Sequence, residues 1–484
     1  MFFSEPALGR NGDAKGARSA CKAEFATGIL RASRNYSAYI ARNLRKNMKR
    51  VFWVVCLASL TLTPFVCHAE NWSHWRGPDF NGSSPEKNLP DNFSKTENVK
   101  WSVALPGTSA ATPIIWEDHV FVSSTDEKTK TLRAFCFDRK TGKQLWMEEV
   151  GVGYNIDNNS NFASPSPVTD GKTVVFLYGN GDLAGFDLAG KKVWSRNLQK
   201  DYGQFAYQWT YGASPTIFEG KLYVQVLQRD EPVHGRGRPD GESYLLALEP
   251  GTGKELWKHA RPSDAKAESH EAYSTPIPVM QKGRKEILIT GGDCISGHDP
   301  ANGKELWRWG SWNPERIGHW RLVPSPVSGG EVALACAPKG SPVFACKAGA
   351  VGKQDDSVLA WKSSDRAVSS DVATPAFYKG KFYILKGEPR GAISRVDPAS
   401  GKVEWTGELE SRIKIEASPT VADDKMYFQN FKGEVFIVSA GDQFKLLKTI
   451  PMGDEGDDRL RSSVAISQGN LFIRTGHKLY CIGK

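Results

Sequence analysis

The sequence predicts an all-β protein: an eight-bladed β-propeller of four-stranded antiparallel blades, closed by an N-terminal strand that completes the last blade. Three observations carry this. A four-strand unit recurs at intervals of 44 to 61 residues, the mark of a repeat architecture. The repeats contain eight first strands but only seven fourth strands after them. Forty-seven glycines and fifteen tryptophans, with no long amphipathic helical period, favour short strands and many turns.

Each unit opens with a strand of small residues at Ser/Thr-Pro. A Gly-containing turn leads to an aromatic or branched strand, and the third strand ends near Asp or Glu. A Gly-Lys turn then leads to a fourth strand carrying Trp. The opening strands are marked by Pro113, Pro165, Pro215, Pro276, Pro326, Pro375 and Pro419, with Val464 in the eighth place. The fourth strands are marked by Trp146, Trp194, Trp257, Trp307, Trp361 and Trp405, with Leu447 in the seventh. After LFIRTGHKLYCIGK the chain has no room for another strand. The stretch ENVKWSVALPG, residues 97–107, supplies it, with Trp101 at the matching position. A single four-stranded sheet cannot bury both faces, and closing the ring removes the last exposed edge. The tryptophans read as packing wedges between blades, each burying about 150–250 Å².

The N-terminus divides differently. Residues 1–47 read as an upstream extension, disordered or ahead of the true start at Met48. Residues 48–69 have a basic start, an apolar run from Val51 to Val66 and small residues at Cys67-His68-Ala69, the pattern of a cleaved secretory signal. Residues 70–98 precede the propeller of 99–484 and are expected to pack on it. The expected location is periplasmic or extracellular, with no membrane span after cleavage at Ala69 and a monomeric state. Residues 1–69 hold 11 Lys/Arg and 3 Asp/Glu, so +8 of the net +9. The remainder is near neutral and gives no basic surface for nucleic acid. Five cysteines follow the signal: Cys136, Cys294, Cys336, Cys346 and Cys481. None forms a CxxC or CxxCH motif. Cys336 and Cys346 flank a Pro-Lys-Gly-Ser-Pro turn; they read either as a hairpin disulfide, which export permits, or as separate buried thiols.

The unit Ala-Ser-Pro…Gly-Lys-Leu-Tyr-Val…Ala-Leu-Glu…Thr-Gly-Lys-Glu-Leu-Trp resembles the repeat of the pyrroloquinoline quinone (PQQ)-like propellers, which include quinoprotein alcohol dehydrogenases and the outer-membrane assembly lipoprotein BamB. The opening Trp72-Ser73-His74-Trp75-Arg76-Gly77-Pro78, with Asn81-Gly82 and Leu105-Pro106-Gly107, is similar to an exported, planctomycete-type subgroup. The resemblance spans residues 71–484. It implies the fold strongly and the activity weakly, because the repeat encodes packing. The dehydrogenases of the group use PQQ with calcium, a catalytic Asp and an adjacent-cysteine disulfide. This chain has no Cys-Cys pair, and no local motif marks calcium ligands, so PQQ and calcium are implied by resemblance only.

Function concentrates where loops converge on the mouth of a central channel. The residues before each Ser/Thr-Pro are Asn161-Phe162, Trp209-Thr210-Tyr211, His270-Glu271-Ala272-Tyr273, His319-Trp320-Arg321, Asp371, Glu416 and Arg461. From them Trp209, Tyr211, His270, Glu271, Tyr273, His319, Trp320, Arg321, Asp371, Glu416 and Arg461 form the ligand-binding candidates. Trp209, Tyr211 and Trp320 offer stacking faces, Arg321 and Arg461 anion contacts, and the His and carboxylate groups acid–base or metal chemistry. A water-filled channel is lined by polar groups in any propeller, so these residues read first as channel lining. His74 and His234 read as surface or loop residues, and 229–242 as a mobile flap or tolerated loop. No P-loop, HExxH or GxSxG is present. The expected function is an exported binding module or scaffold for a protein or glycan partner. A PQQ- and calcium-dependent alcohol or sugar dehydrogenase, and a carbohydrate-active enzyme using carboxylates such as Glu271 and Asp371, are the alternatives.

Overall fold

The computed structural model describes residues 71–484 apart from Asn158 and Ser341. The expected extension at 1–47 and signal at 48–69 lie outside the described residues. Eight antiparallel sheets form the blades of a propeller. Blade 1 comprises Ile114–Trp116, His119–Asp126, Thr131–Asp138 and Gln144–Val152, and the pattern repeats to the last strand of blade 7, Leu446–Pro451. Blade 8 takes Ala465–Ser467, Asn470–Arg474 and Lys478–Ile482 from the C-terminus and Val99–Ala104 from the N-terminal side. Trp101 pairs with Cys481, Ser102 with Tyr480 and Val103 with Leu479. The ring therefore closes as the strand count requires.

The repeated residues have separable jobs. At the centre, the Ser or Thr before each proline links blade to blade. The N–H of Thr112 donates to Ser166 Oγ, Ser166 to Ser214, Ser214 to Thr275, Thr275 to Ser325, Ser325 to Thr374, and Thr374 to Ser418. Across the closure, Ser463 N–H donates to Thr112 Oγ1 at 3.0 Å. The link from Ser418 to Ser463 is missing, and Ser463 Oγ is buried without a partner. This is also the one junction where Val464 replaces proline. The belt corrects one marker: in the run Ser164-Pro165-Ser166-Pro167, the residue equivalent to the other blades is Ser166, so blade 2 begins at Pro167.

At the rim, Trp101, Trp146, Trp194, Trp257 and Trp361 each lie on the turn glycine of the following blade. A Cβ on Gly142 would sit 2.7 Å from the Trp101 ring, one on Gly190 2.6 Å from Trp146, and one on Gly401 2.6 Å from Trp361. The indole N–H then donates to a carbonyl in the same turn: Trp101 to Arg139, Trp146 to Leu188, Trp194 to Pro250, Trp361 to Pro398 and Trp405 to Gly441. Trp257 packs on Gly303, but its N–H has no partner; the Pro300 carbonyl of that turn accepts the Tyr223 hydroxyl instead. Trp307 departs from the expected wedge. Its indole donates to Glu286 of its own blade at 2.6 Å. In blade 5 the turn is replaced by a longer excursion, in which Gly352–Lys353 adds a parallel strand to blade 4. There Trp309 reaches across instead, donating to Asp356 at 3.0 Å.

The cysteine pair is also settled. Cys336 is opposite Val343, and Cys346 is opposite Ala333. The two thiols belong to different hydrophobic clusters on opposite faces of the blade, and both are free. Residues equally distant from a turn do not face each other unless the register is symmetric about it, and here it is not.

Candidate functional site

Residues 71–86 run across one end of the central channel. Trp72 bridges to Ile115 of blade 1, the Ser73 carbonyl takes Thr169 N–H of blade 2, and His74 Nε2 meets Thr216 Oγ1 of blade 3 at 2.8 Å. Arg76 Nη2 donates to the Pro375 and Pro419 carbonyls of blades 6 and 7. Asn81 and Gly82 pair with the same two blades, and the Glu86 carboxylate accepts the Gln468 and Gly469 N–H groups of blade 8. The segment thus reaches six blades, and Trp75 projects from it as the floor of an axial cavity. His74 is not a surface residue: it is 1% exposed, its Nδ1 accepts the Arg76 N–H, and burial beside Arg76 lowers its pKa to about 3. His234 is exposed, as expected.

The cavity wall follows a simple rule. A strand has a side-chain period of two, so the residue two before each belt hydroxyl also faces the axis. All eight such positions line the cavity. Ala110, Ser164 and Gly212 leave room on blades 1 to 3. Tyr273 stands on blade 4, Val323 and Val372 on blades 5 and 6, and Glu416 and Arg461 on blades 7 and 8. Four belt hydroxyls, Ser166, Ser214, Thr275 and Ser418, also reach the cavity, and Trp209 and Arg321 complete the lining. The volume is about 140 Å³.

Of the expected candidates, Trp209, Tyr273, Arg321, Glu416 and Arg461 meet here. Arg461 Nε is 2.6 Å from Glu416, and its guanidinium lies 4.7 Å from the Phe431 ring centre. Arg321 has only long contacts, 3.9 Å to both Glu268 and Asp371. Asp371 sits in an adjoining groove and accepts Lys339 N–H. The others lie elsewhere. Tyr211 is buried with its hydroxyl on the Gln225 carbonyl. Glu271 is fully buried and takes Arg229 Nε at 2.5 Å, the Tyr273 hydroxyl and Gln208 N–H; burial raises its pKa against these contacts. His270 faces a separate acidic groove near Asp230, with its pKa lowered by desolvation. His319 is exposed, and Trp320 packs against the core. The 229–242 insertion is held down rather than free: Arg236 donates to the Tyr207 carbonyl, and Asp240 N–H to Asp230. The sequence reading missed Trp75 and the small wall residues, although the two-residue offset from each Ser/Thr-Pro pointed to the wall.

These donors do not fit a calcium ion with a quinone. Calcium takes six to eight oxygens, whereas among the described residues no group of three or more His, Cys, Asp and Glu side chains is placed to hold a metal. Glu271 and Glu416 are already occupied by arginines. The cavity is also well below the roughly 300–1,000 Å³ of pockets for larger organic ligands.

A family model described as outer membrane protein assembly factor BamB matches residues 94–224 and 293–482. The chain belongs to this family. No curated protein matches its sequence. Among solved structures it resembles a europium-containing methanol dehydrogenase at 11% identity and TM-score 0.60, covering 84% of this chain and 90% of the other. The quinohemoprotein alcohol dehydrogenase of Comamonas testosteroni follows at 14% identity and TM-score 0.55, covering 86% and 81%. BamB of Moraxella catarrhalis has 14% identity and TM-score 0.52, covering 79% and 98%. At such identities the likeness shows the shared propeller and not a shared chemistry. Among the described residues no helix is long and apolar enough to cross a membrane.

Proposed function

We propose that this chain is an exported binding module that takes the end of a glycan into its axial pocket and performs no chemistry of its own. One observation carries the reading: the channel is blind, floored by Trp75 and walled by Tyr273, Trp209, hydroxyls and two arginines. A pocket of this size, open at one end, suits one sugar ring better than a broad protein surface. Aromatic faces with a few converging polar groups give such a site its selectivity. The family description favours a second reading, in which a protein partner docks across the mouth.

The test is thermal unfolding against a panel of mono- and oligosaccharides. At a hundredfold excess over Kd, binding adds about 2.7 kcal/mol, or roughly 3 °C for a domain of this size. The Trp209→Ala protein is expected to lose the shift while keeping its own melting curve. If no saccharide shifts the wild type, the glycan reading is wrong.

A further inference from the structure

The pocket floor is unusually rich in donors. Ser166, Ser214, Thr275 and Ser418 each accept an N–H from the preceding blade. A hydroxyl also carries one proton of its own, and no acceptor among the described residues takes any of these four. Arg321 adds a guanidinium to the same lining. Arg321 has no ion pair shorter than 3.9 Å, and its Nη1 is buried without a hydrogen-bond partner. Under the floor, the Arg76 guanidinium lies 5.5 Å from the Trp75 ring centre. It is fully buried, donates only to carbonyls, and leaves Nε and Nη1 unpaired. The one carboxylate on the wall, Glu416, is engaged by Arg461. Donors that line a cavity without a protein acceptor favour an acceptor-rich occupant.

We propose that the axial pocket selects an oxyanion, the carboxylate of an acidic sugar, held by the belt hydroxyls and Arg321 with the sugar ring against the aromatic wall. This rests on the reading that the pocket is a glycan site and adds the ligand's class. The ring is favoured over a peptide end because the wall offers indole and phenol faces, Trp75, Trp209 and Tyr273. Arg76 contributes as a fixed positive charge buried beneath the floor, against the Trp75 ring. Its own pKa falls to about 9 through burial, so it stays charged at neutral pH.

The experiment is isothermal titration of the mature chain with galacturonate and, as a neutral match, galactose. Acetate, sulfate, and a short peptide with free or amidated C-terminus complete the set. Galacturonate is expected to bind at least about tenfold tighter than galactose, a difference of some 1.4 kcal/mol. Arg321→Gln is expected to abolish that preference, and Thr275→Val to weaken it. Circular dichroism checks that each variant is folded, and Arg321→Lys, which keeps the charge, retains part of the preference. Equal binding of the two sugars overturns the acidic class and leaves the glycan reading standing. Acetate or sulfate binding as tightly as galacturonate makes this a simple anion site and overturns the sugar. Preference for the free-ended peptide assigns the site to a chain terminus. No heat with any probe sinks both this inference and the glycan reading.

Discussion

Replacing Trp101 by alanine tests how the ring is held shut. The side chain is 8% exposed, packs on Gly142 of blade 1, lies 6.0 Å from the Phe472 ring centre of blade 8, and donates to the Arg139 carbonyl at 2.7 Å. Truncating a buried Trp costs about 3–5 kcal/mol, and losing the indole bond adds about 1 kcal/mol. Unfolding entropy of about 2.1 cal/mol/K per residue gives roughly 0.9 kcal/mol/K for the propeller, so the melting temperature should fall by about 5–7 °C. Trp194→Ala is the control. That side chain has similar burial, an equivalent bond to Pro250 and an equivalent glycine contact with Gly253, but it lies within continuous blades. Its local loss should be similar without loosening the closure. Thermal unfolding and amide hydrogen exchange read the two effects apart. Trp101→Ala should lose more stability and shed protection in both Val99–Ala104 and Lys478–Ile482, whereas Trp194→Ala should leave those strands protected. Equal melting losses with unchanged exchange in the terminal strands would refute closure through Trp101.

Three further outcomes follow from other contacts. His74 and His298 are both buried with pKa lowered to about 3, chiefly by desolvation. The unfolded chain therefore takes up these protons first. Their contribution is full above about pH 6.5 and is lost as pH falls toward 3, about 2 kcal/mol each by pH 5. Urea midpoints at pH 7 and 5 should show this, and His74→Gln should reduce the difference. Gly142→Ala places a methyl against Trp101 at a φ of +71°; a loss of about 1–3 kcal/mol is expected from denaturant melts. Burial pushes the Cys336 and Cys346 thiols up to about 12. Both should resist maleimide in the native state, react in denaturant, and show the mass of two free thiols.

The strand count, the closure and the rim wedges were legible because each is a local pattern repeated many times. A Trp beside a Gly-Lys turn encodes its contact within a few residues on either side. The misplaced blade 2 marker arose from two consecutive Ser-Pro pairs, which local pattern cannot rank; the interblade bond to Ser166 decides between them. Trp307 looked like its counterparts because the cause of its departure, the excursion at Gly352–Lys353, lies some 45 residues away in another blade. The candidate site was half legible. Tyr273, Glu416 and Arg461 follow from their offset to Ser/Thr-Pro, and Arg321 from its charge. Glu271 and Tyr211 carry the same residue chemistry, but burial and partners 42 and 14 residues away spend it on structure. His74 and Trp75 were hidden because nothing in WSHWRGP states that the segment crosses an axis.

The pairing of Val99–Ala104 with Lys478–Ile482 also sets an order of events during biogenesis. The first blade-forming segment to be synthesised waits for the last, so the circle cannot be completed on a partly made chain. Until Lys478–Ile482 is made, Val99–Ala104 lacks its strand partner, and an unpaired strand edge is the kind of surface that recruits other strands. A nonsense change near the C-terminus would remove less than one blade yet leave that edge permanently open. For this molecule, even late termination is expected to leave the ring unclosed.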